Sequence, residues 1–88
     1  MLVEAELYSW YETILRFLDG YRDYHLTYSV GMAKMSEDRD VLEFDVDVHS
    51  DQGYGRDWTE YWAIYNNETI YASEKIFNGL SDFLANWC

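Results

Sequence analysis

An α+β fold is what the chain predicts: an antiparallel meander of three to four strands with an N-terminal and a C-terminal helix packed on one of its faces. Three observations carry that reading. Apolar residues recur at three- and four-residue spacing over 2–19, alternate strictly with acids over 42–48, and return to helical spacing over 74–87. The element order is therefore α-β-β-β-(β)-α, in a single domain spanning 1–88. A chain this short buries a limited share of its surface. Its four Trp, nine Tyr and four Phe offset that, because each brings a large apolar area.

The first helix places Val3, Leu7, Trp10, Ile14, Phe17 and Leu18 on one stripe, with Tyr11 and Tyr21 beside it. Glu4 and Glu6 suit the positive end of its dipole, and Gly20 marks its stop. Tyr24 to Lys34 reads as the first strand, with Tyr24, Leu26, Tyr28, Val30 and Met32 on its core side. A polar turn at Ser36–Asp40 leads into strand 41–49. A hairpin centred near Asp38 pairs Val30 with Val46 and Met32 with Phe44, core row to core row. Ser50–Asp57 is a loop containing Gly53 and Gly55. Trp58–Tyr65 is a third strand, with Trp58, Glu60, Trp62 and Ile64 on one face and Thr59, Tyr61, Ala63 and Tyr65 on the other. Asn66-Asn67 turns the chain, and 68–72 forms a short fourth strand with Ile70 inward. Ser73 is read as the N-cap of the closing helix 74–87, whose buried stripe is Ile76, Phe77, Leu80, Phe83, Leu84 and Trp87. Gly79 weakens that helix by about 1 kcal/mol relative to Ala.

Charge narrows the function classes. The formal net charge is −11, which repels phosphate backbones and anionic lipid, so neither nucleic acid nor a membrane surface is the expected direct partner. No apolar stretch approaches the ~18 residues of a membrane span. The N-terminal residues lack the basic and apolar regions of a signal peptide. The single cysteine, Cys88, fits a reducing compartment. The expected setting is the cytoplasm, and the Asn67-Glu68-Thr69 sequon is expected to stay unmodified.

Residues 37–60 concentrate the charge. Nine acids, Glu37, Asp38, Asp40, Glu43, Asp45, Asp47, Asp51, Asp57 and Glu60, face only Arg39 and Arg56, leaving −7 on this segment. Within it Leu42, Phe44, Val46 and Val48 alternate with Glu43, Asp45 and Asp47, so burying one row lines three carboxylates along the other. Catalytic carboxylates require a pocket that separates their pKa values, and an exposed row provides none. No nucleophile motif or phosphate loop accompanies it, so the expectation is no enzyme and no cofactor. Asp45-x-Asp47 opens like a calcium loop, but His49 holds the third acid position and Ser50 the glycine position. His25 and His49 beside Asp47 form a weak candidate for a transition metal, and no metal site is expected.

An ordered carboxylate row fits a basic protein surface. Every second strand residue spaces the acids roughly 6.6–6.8 Å apart, comparable to the separation of phosphates along a nucleic-acid strand. Tyr54, Trp58 and Tyr61 add aromatic contact of the kind that dominates interfaces. The candidate interface is Glu37, Asp38, Asp40, Glu43, Asp45, Asp47, Asp51, Tyr54, Asp57, Glu60 and Tyr61. Outward Tyr61 and Tyr65 also leave room for a homodimer contact.

The helix Val3–Leu18, the meander bearing Glu37-Asp38-Arg39-Asp40 and Glu43/Asp45/Asp47, and the closing helix from Ser73 together resemble the small acidic phage-encoded anti-CRISPR inhibitors that act as DNA mimics. The likeness is one of layout and extends over the whole chain. It implies an inhibitor that covers the basic nucleic-acid-binding surface of an RNA-guided nuclease inside a bacterial cell. Under that resemblance Glu37, Asp38, Asp40, Glu43, Asp45, Asp47 and Asp51 are the mimicking positions. The element order is also similar to that of double-stranded-RNA-binding domains, but loops that are basic there are acidic here. Bacterial immunity proteins, which neutralise toxin nucleases and are likewise small, acidic and tyrosine-rich at their interfaces, provide the alternative reading. A non-inhibitory acidic interaction subunit is the third.

Overall fold

A computed structural model describes residues 1–21, 25–51 and 57–87. The fold is α+β, with helix α1 (Glu4–Asp19), strands β1 (Leu26–Val30), β2 (Lys34–Met35), β3 (Val41–Ser50), β4 (Trp58–Tyr65), β5 (Ile70–Ala72) and β6 (Lys75–Phe77), and helix α2 (Leu80–Asn86). All strand pairs are antiparallel, in the order β1-β3-β4-β5-β6, and β2 pairs with β3 beyond the end of β1. The meander therefore has more strands than the three or four expected.

Alternation decides the faces. Leu42, Phe44, Val46 and Val48 are buried while Asp45, Asp47 and His49 are exposed. Both helices cover the buried face. Phe17 of α1 meets Phe83 of α2 edge-on with ring centroids 5.7 Å apart, and Phe83 packs on Trp62 at the same distance. A continuous aromatic network follows: Tyr11 on Phe44, Phe44 on Trp62, Trp62 on Trp87, and Phe77 on both Phe83 and Trp87. All four Phe of the chain lie in it. Contacts of this geometry contribute about 0.5–1.5 kcal/mol each beyond the area they bury.

Helix α1 begins two residues later than its apolar period indicates. Val3 sits at the N-cap, its N–H donates to Glu6 Oε1 at 3.0 Å, and its side chain is 61% exposed, off the buried stripe. Valine has no side-chain oxygen to return that bond, so the cap is one-sided. Gly20 ends the helix in a right-handed conformation.

The first strand breaks where continuity was expected. Val30 pairs with Val46 as anticipated, but Lys34 pairs with Glu43, so residues 31–33 oppose only Phe44 and Asp45. One extra residue is a bulge, and it reverses which residues face inward. Leu26, Tyr28 and Val30 pack on the core before it, Ala33 and Met35 after it. Met32, expected opposite Phe44 in the core, is 92% exposed. Gly31 permits the distortion: a Cβ there would sit 3.2 Å from the Asp45 carbonyl oxygen. Tyr11 fixes it from below by donating its hydroxyl to the Gly31 carbonyl. Tyr24, assigned to the start of this strand, lies outside the described residues.

The closing helix is the largest correction. Residues 75–77 form β6, and the helix spans only Leu80–Asn86. Ser73 and Glu74 both take left-handed backbone angles (φ 50° and 66°) between the paired residues Ala72 and Lys75. That is a two-residue hairpin turn whose hand matches the twist of its strands. Ser73 is thus a turn residue and not an N-cap. Gly79, at φ 111°, precedes α2, and its conformation breaks any helix running through it. Ile76 is 67% and Leu84 39% exposed, whereas Phe77, Phe83 and Trp87 are buried. Among the described residues, the indole N–H of Trp87 is the only buried side-chain polar group without a partner.

Candidate functional site

The face of the sheet away from the helices carries the outward residues of every strand. β3 contributes Val41, Glu43, Asp45, Asp47 and His49, and its register places Tyr65, Ala63, Tyr61, Thr59 and Trp58's neighbour Asp57 along the same course. Strand β5 adds Tyr71 opposite Ala63, and β1 adds Ser29 opposite Asp47. The bulge brings Lys34 to this face, opposite Glu43.

Hydrogen bonds orient two of the three central carboxylates. Tyr61 donates its hydroxyl to Glu43 Oε1 at 2.7 Å, and Thr59 donates to Asp47 Oδ1 at 2.7 Å. Asp45, between them and exposed, has no side-chain partner among the described residues. No ion pair among the described residues reaches Glu43, Asp45 or Asp47. Arg16 turns to Glu12 and Arg39 to Glu4, while Lys75 lies over the Trp87 ring on the helix side. The row is therefore ordered, and it closes no ion pair among the described residues although Lys34 stands opposite Glu43.

Tyr61 is 46% exposed, and its hydroxyl pKa is pushed up to about 12 from 10.0. Desolvation at the crowded sheet surface is the main cause, followed by the hydrogen bond to Glu43 and its charge. The phenol stays a donor across the physiological range. Tyr71 lies 6.0 Å from it, ring to ring, and the two flank Ala63, which is fully buried although it points outward. Carboxylates on β3 thus border an aromatic surface on β4 and β5.

No family model matches the chain, and comparison with curated proteins and with solved structures gives no significant match.

The other candidate acids fall into distinct places. Glu37 and Asp38 are exposed at the β2–β3 turn. Asp40 is half-buried and accepts from the Ser36 hydroxyl at 2.9 Å. At the far end, Asp51 lies 3.1 Å from His25 Nδ1 and Asp57 lies 2.8 Å from His49 Nδ1. Each histidine thus has its own carboxylate, and among the described residues no three potential ligands converge as a metal site. Tyr54 lies outside the described residues. Glu60 shares the inner face with Trp58 and Trp62, as its position in the strand predicts, and so stands apart from the row. Its carboxylate accepts Trp58 Nε1 at 2.9 Å, Trp62 Nε1 at 3.1 Å and Ser73 Oγ at 2.9 Å.

Sequence reasoning placed Thr59 on this face without counting it in the interface, and it missed Tyr71 and Lys34. Tyr71 was within reach of it, since its strand parity places it outward. Lys34 was not, because the bulge that turns it outward has no signal beyond Gly31. No helix of the described residues is long and apolar enough to cross a membrane.

Proposed function

We propose that the chain is a non-enzymatic acidic inhibitor that occupies the basic nucleic-acid-binding surface of a nuclease, in the cytoplasm of a bacterial cell. The observation that carries this reading is the ordered row Glu43-Asp45-Asp47, which closes no ion pair among the described residues. Lining like charges along a strand lowers stability, and neither the core nor any ion pair requires it. Two of the three carboxylates are held by hydroxyl donors, which fixes their positions without cancelling their charge. Spaced at roughly 6.6–6.8 Å on a rigid sheet, they engage a groove of Lys and Arg as a phosphate chain does. Glu37 and Asp38 at one end and Asp51 and Asp57 at the other extend the negative surface. Tyr61 and Tyr71 supply apolar contact beside it, the anchor type common at protein interfaces.

The test compares the native chain with the Glu43→Ala/Asp45→Ala/Asp47→Ala variant. Each is used as bait in bacterial lysate at low salt, with elution at about 0.5 M salt, where charge is screened within a few ångströms. The expected result is a nucleic-acid enzyme retained by the native chain, released by salt and displaced by duplex DNA. Three surface carboxylates, Asp45 and Asp47 exposed and Glu43 half-buried, at ~0.5 kcal/mol each sum to about a tenfold loss of affinity in the variant. A partner that the variant holds as tightly, or that DNA does not displace, sinks the mimicry reading.

A further inference from the structure

Strand β4 is longer than the strand beside it. Its pairing with β3 runs from Trp58 to Tyr65, whereas β5 pairs only with Trp62, Ala63 and Ile64. In an antiparallel ladder successive residues direct their backbone groups to alternate sides. Two bonds fix the phase here. Tyr65 N–H donates to the Thr69 carbonyl toward β5, and Asn66 N–H donates to the Asp40 carbonyl toward β3. Trp58, Glu60, Trp62 and Ile64 therefore serve β3, and Thr59, Tyr61 and Ala63 face the other way. β5 meets Ala63 and ends at Ala72, one residue short of Tyr61. The N–H and C=O groups of Thr59 and Tyr61 form an edge that no backbone group among the described residues pairs.

The space beside this edge is open. A notch of ≈ 350 Å³ lies between Thr59 and Tyr61 on one side and Tyr71, Ser73 and Glu74 on the other. By accepting both Trp58 Nε1 and Ser73 Oγ, the Glu60 carboxylate fixes the start of the β5–β6 turn relative to β4. Two acids, Glu60 and the exposed Glu74, line it. Asp45 and Asp47 lie one strand further in, about 10 Å from the line an added strand would take. Thr59 is short, so a lysine or arginine stem lying across it reaches Asp47.

We propose that an extended basic segment of a partner adds as a short strand along Thr59–Tyr61. Backbone hydrogen bonds to the edge supply its register, and alternate Lys or Arg side chains reach the row. Main-chain pairing of this kind is a general mode of peptide capture at sheet edges. The inference rests on the proposed function only for the sign of the partner's charge.

The probe is a blocked octapeptide of alternating Lys and Val, titrated against the native chain while amide exchange is followed by NMR. Binding is expected to slow exchange of the Thr59 and Tyr61 amides about tenfold or more. A fully N-methylated peptide of the same sequence keeps its charges but cannot pair, and is expected to bind about tenfold more weakly or worse. Thr59→Pro removes an N–H that no described group uses but also the hydroxyl that holds Asp47. It is therefore compared with Thr59→Val, which loses the hydroxyl and keeps the N–H. The proline variant is expected to leave the β3 ladder intact and to bind the parent peptide about tenfold more weakly than the valine variant. Should the proline variant fail to fold, the methylated peptide on the native chain decides. Equal binding of both peptides, no binding of the parent, or binding without slowing of those two amides overturns the inference. The carboxylate variant separates the two readings. Loss of all binding to it together with equal affinity of the two peptides for the native chain keeps the row and removes the edge. Unchanged affinity with slowed Thr59 and Tyr61 amides keeps the edge and removes the row.

Discussion

Tyr61 joins the two chemistries of the outer face, since its ring lies against Tyr71 and its hydroxyl donates to Glu43. Folding raises its pKa, so the neutral phenol is the form the fold prefers. Its contribution to stability is complete below its ordinary value of 10.0 and is lost as pH rises through about 12. Tyrosinate absorbance of the native chain minus that of Tyr61→Phe is expected to isolate a titration near the upper value. Glu43→Gln is expected to bring it down part of the way, because desolvation, the larger cause, remains. Glu60 makes a different residue-scale argument. Trp62 is fully buried, and its indole N–H depends on Glu60. Glu60→Ala leaves that donor unpaired, a loss of about 1–3 kcal/mol, and Glu60→Gln is expected to cost less because it keeps one acceptor. Urea unfolding of both variants gives the order, and equal losses would refute the assignment. The sequence already held the clue, an acid two residues from a tryptophan on each side, on the inward face of a strand.

Among the elements, the β5–β6 hairpin shows where local propensity and tertiary structure part. Residues 74–87 carry a helical apolar period, and four of the six residues in that stripe, Phe77, Leu80, Phe83 and Trp87, do contact the core. The backbone nevertheless turns at Ser73-Glu74 and again at Gly79. Periodicity is blind to this because Phe77 meets the core from a strand while Phe83 meets it from a helix. The turn itself is strained in composition. Its hand favours Asn-Gly, and glutamate in the left-handed region costs about 1–2 kcal/mol. Glu74→Gly is therefore expected to stabilise the chain by about 1 kcal/mol, raising Tm by roughly 4–8 °C. Thermal unfolding checks it, and a lower Tm would show the turn to be set by something other than backbone strain. Ser73 is the wrong place for the same experiment, since its hydroxyl belongs to Glu60. Elements with one dominant period, α1, β3 and β4, were legible; the β5–β6 hairpin, turned by positive φ at Ser73 and Glu74 inside a helical period, was not.

Across the whole molecule, charge and core are separated by the sheet. The aromatic network fills one side, and the acids of β3 cover the other. This division was readable from the alternation of residues 42–48, which fixed both rows at once. What stayed hidden was the context of the row: that hydroxyls hold it, that no ion pair among the described residues closes on it, and that an open edge adjoins it. These depend on register between strands distant in sequence. Replacing Glu43, Asp45 and Asp47 with Ala is expected to raise stability at low salt by a few tenths of a kcal/mol, as like charges are removed. Added salt is then expected to stabilise the native chain more than the variant, because it screens the repulsion that only the native row has. Urea unfolding at two ionic strengths measures both, and identical salt responses would show that the row is not under electrostatic tension.

The bulge at residues 31–33 acts on this strand as a frameshift acts on a message. Were the same residues paired without the bulge, the parity of Leu26, Tyr28 and Val30 would continue through Lys34, carrying an ammonium group into the core and expelling Met35. At this point the number of residues matters more than their identity. Exchanging Met32 for another side chain alters an exposed position, whereas removing it leaves Gly31 and Ala33 against Asp45 and Phe44 and makes the bulge unnecessary, with Lys34 still opposite Glu43 and Met35 opposite Leu42.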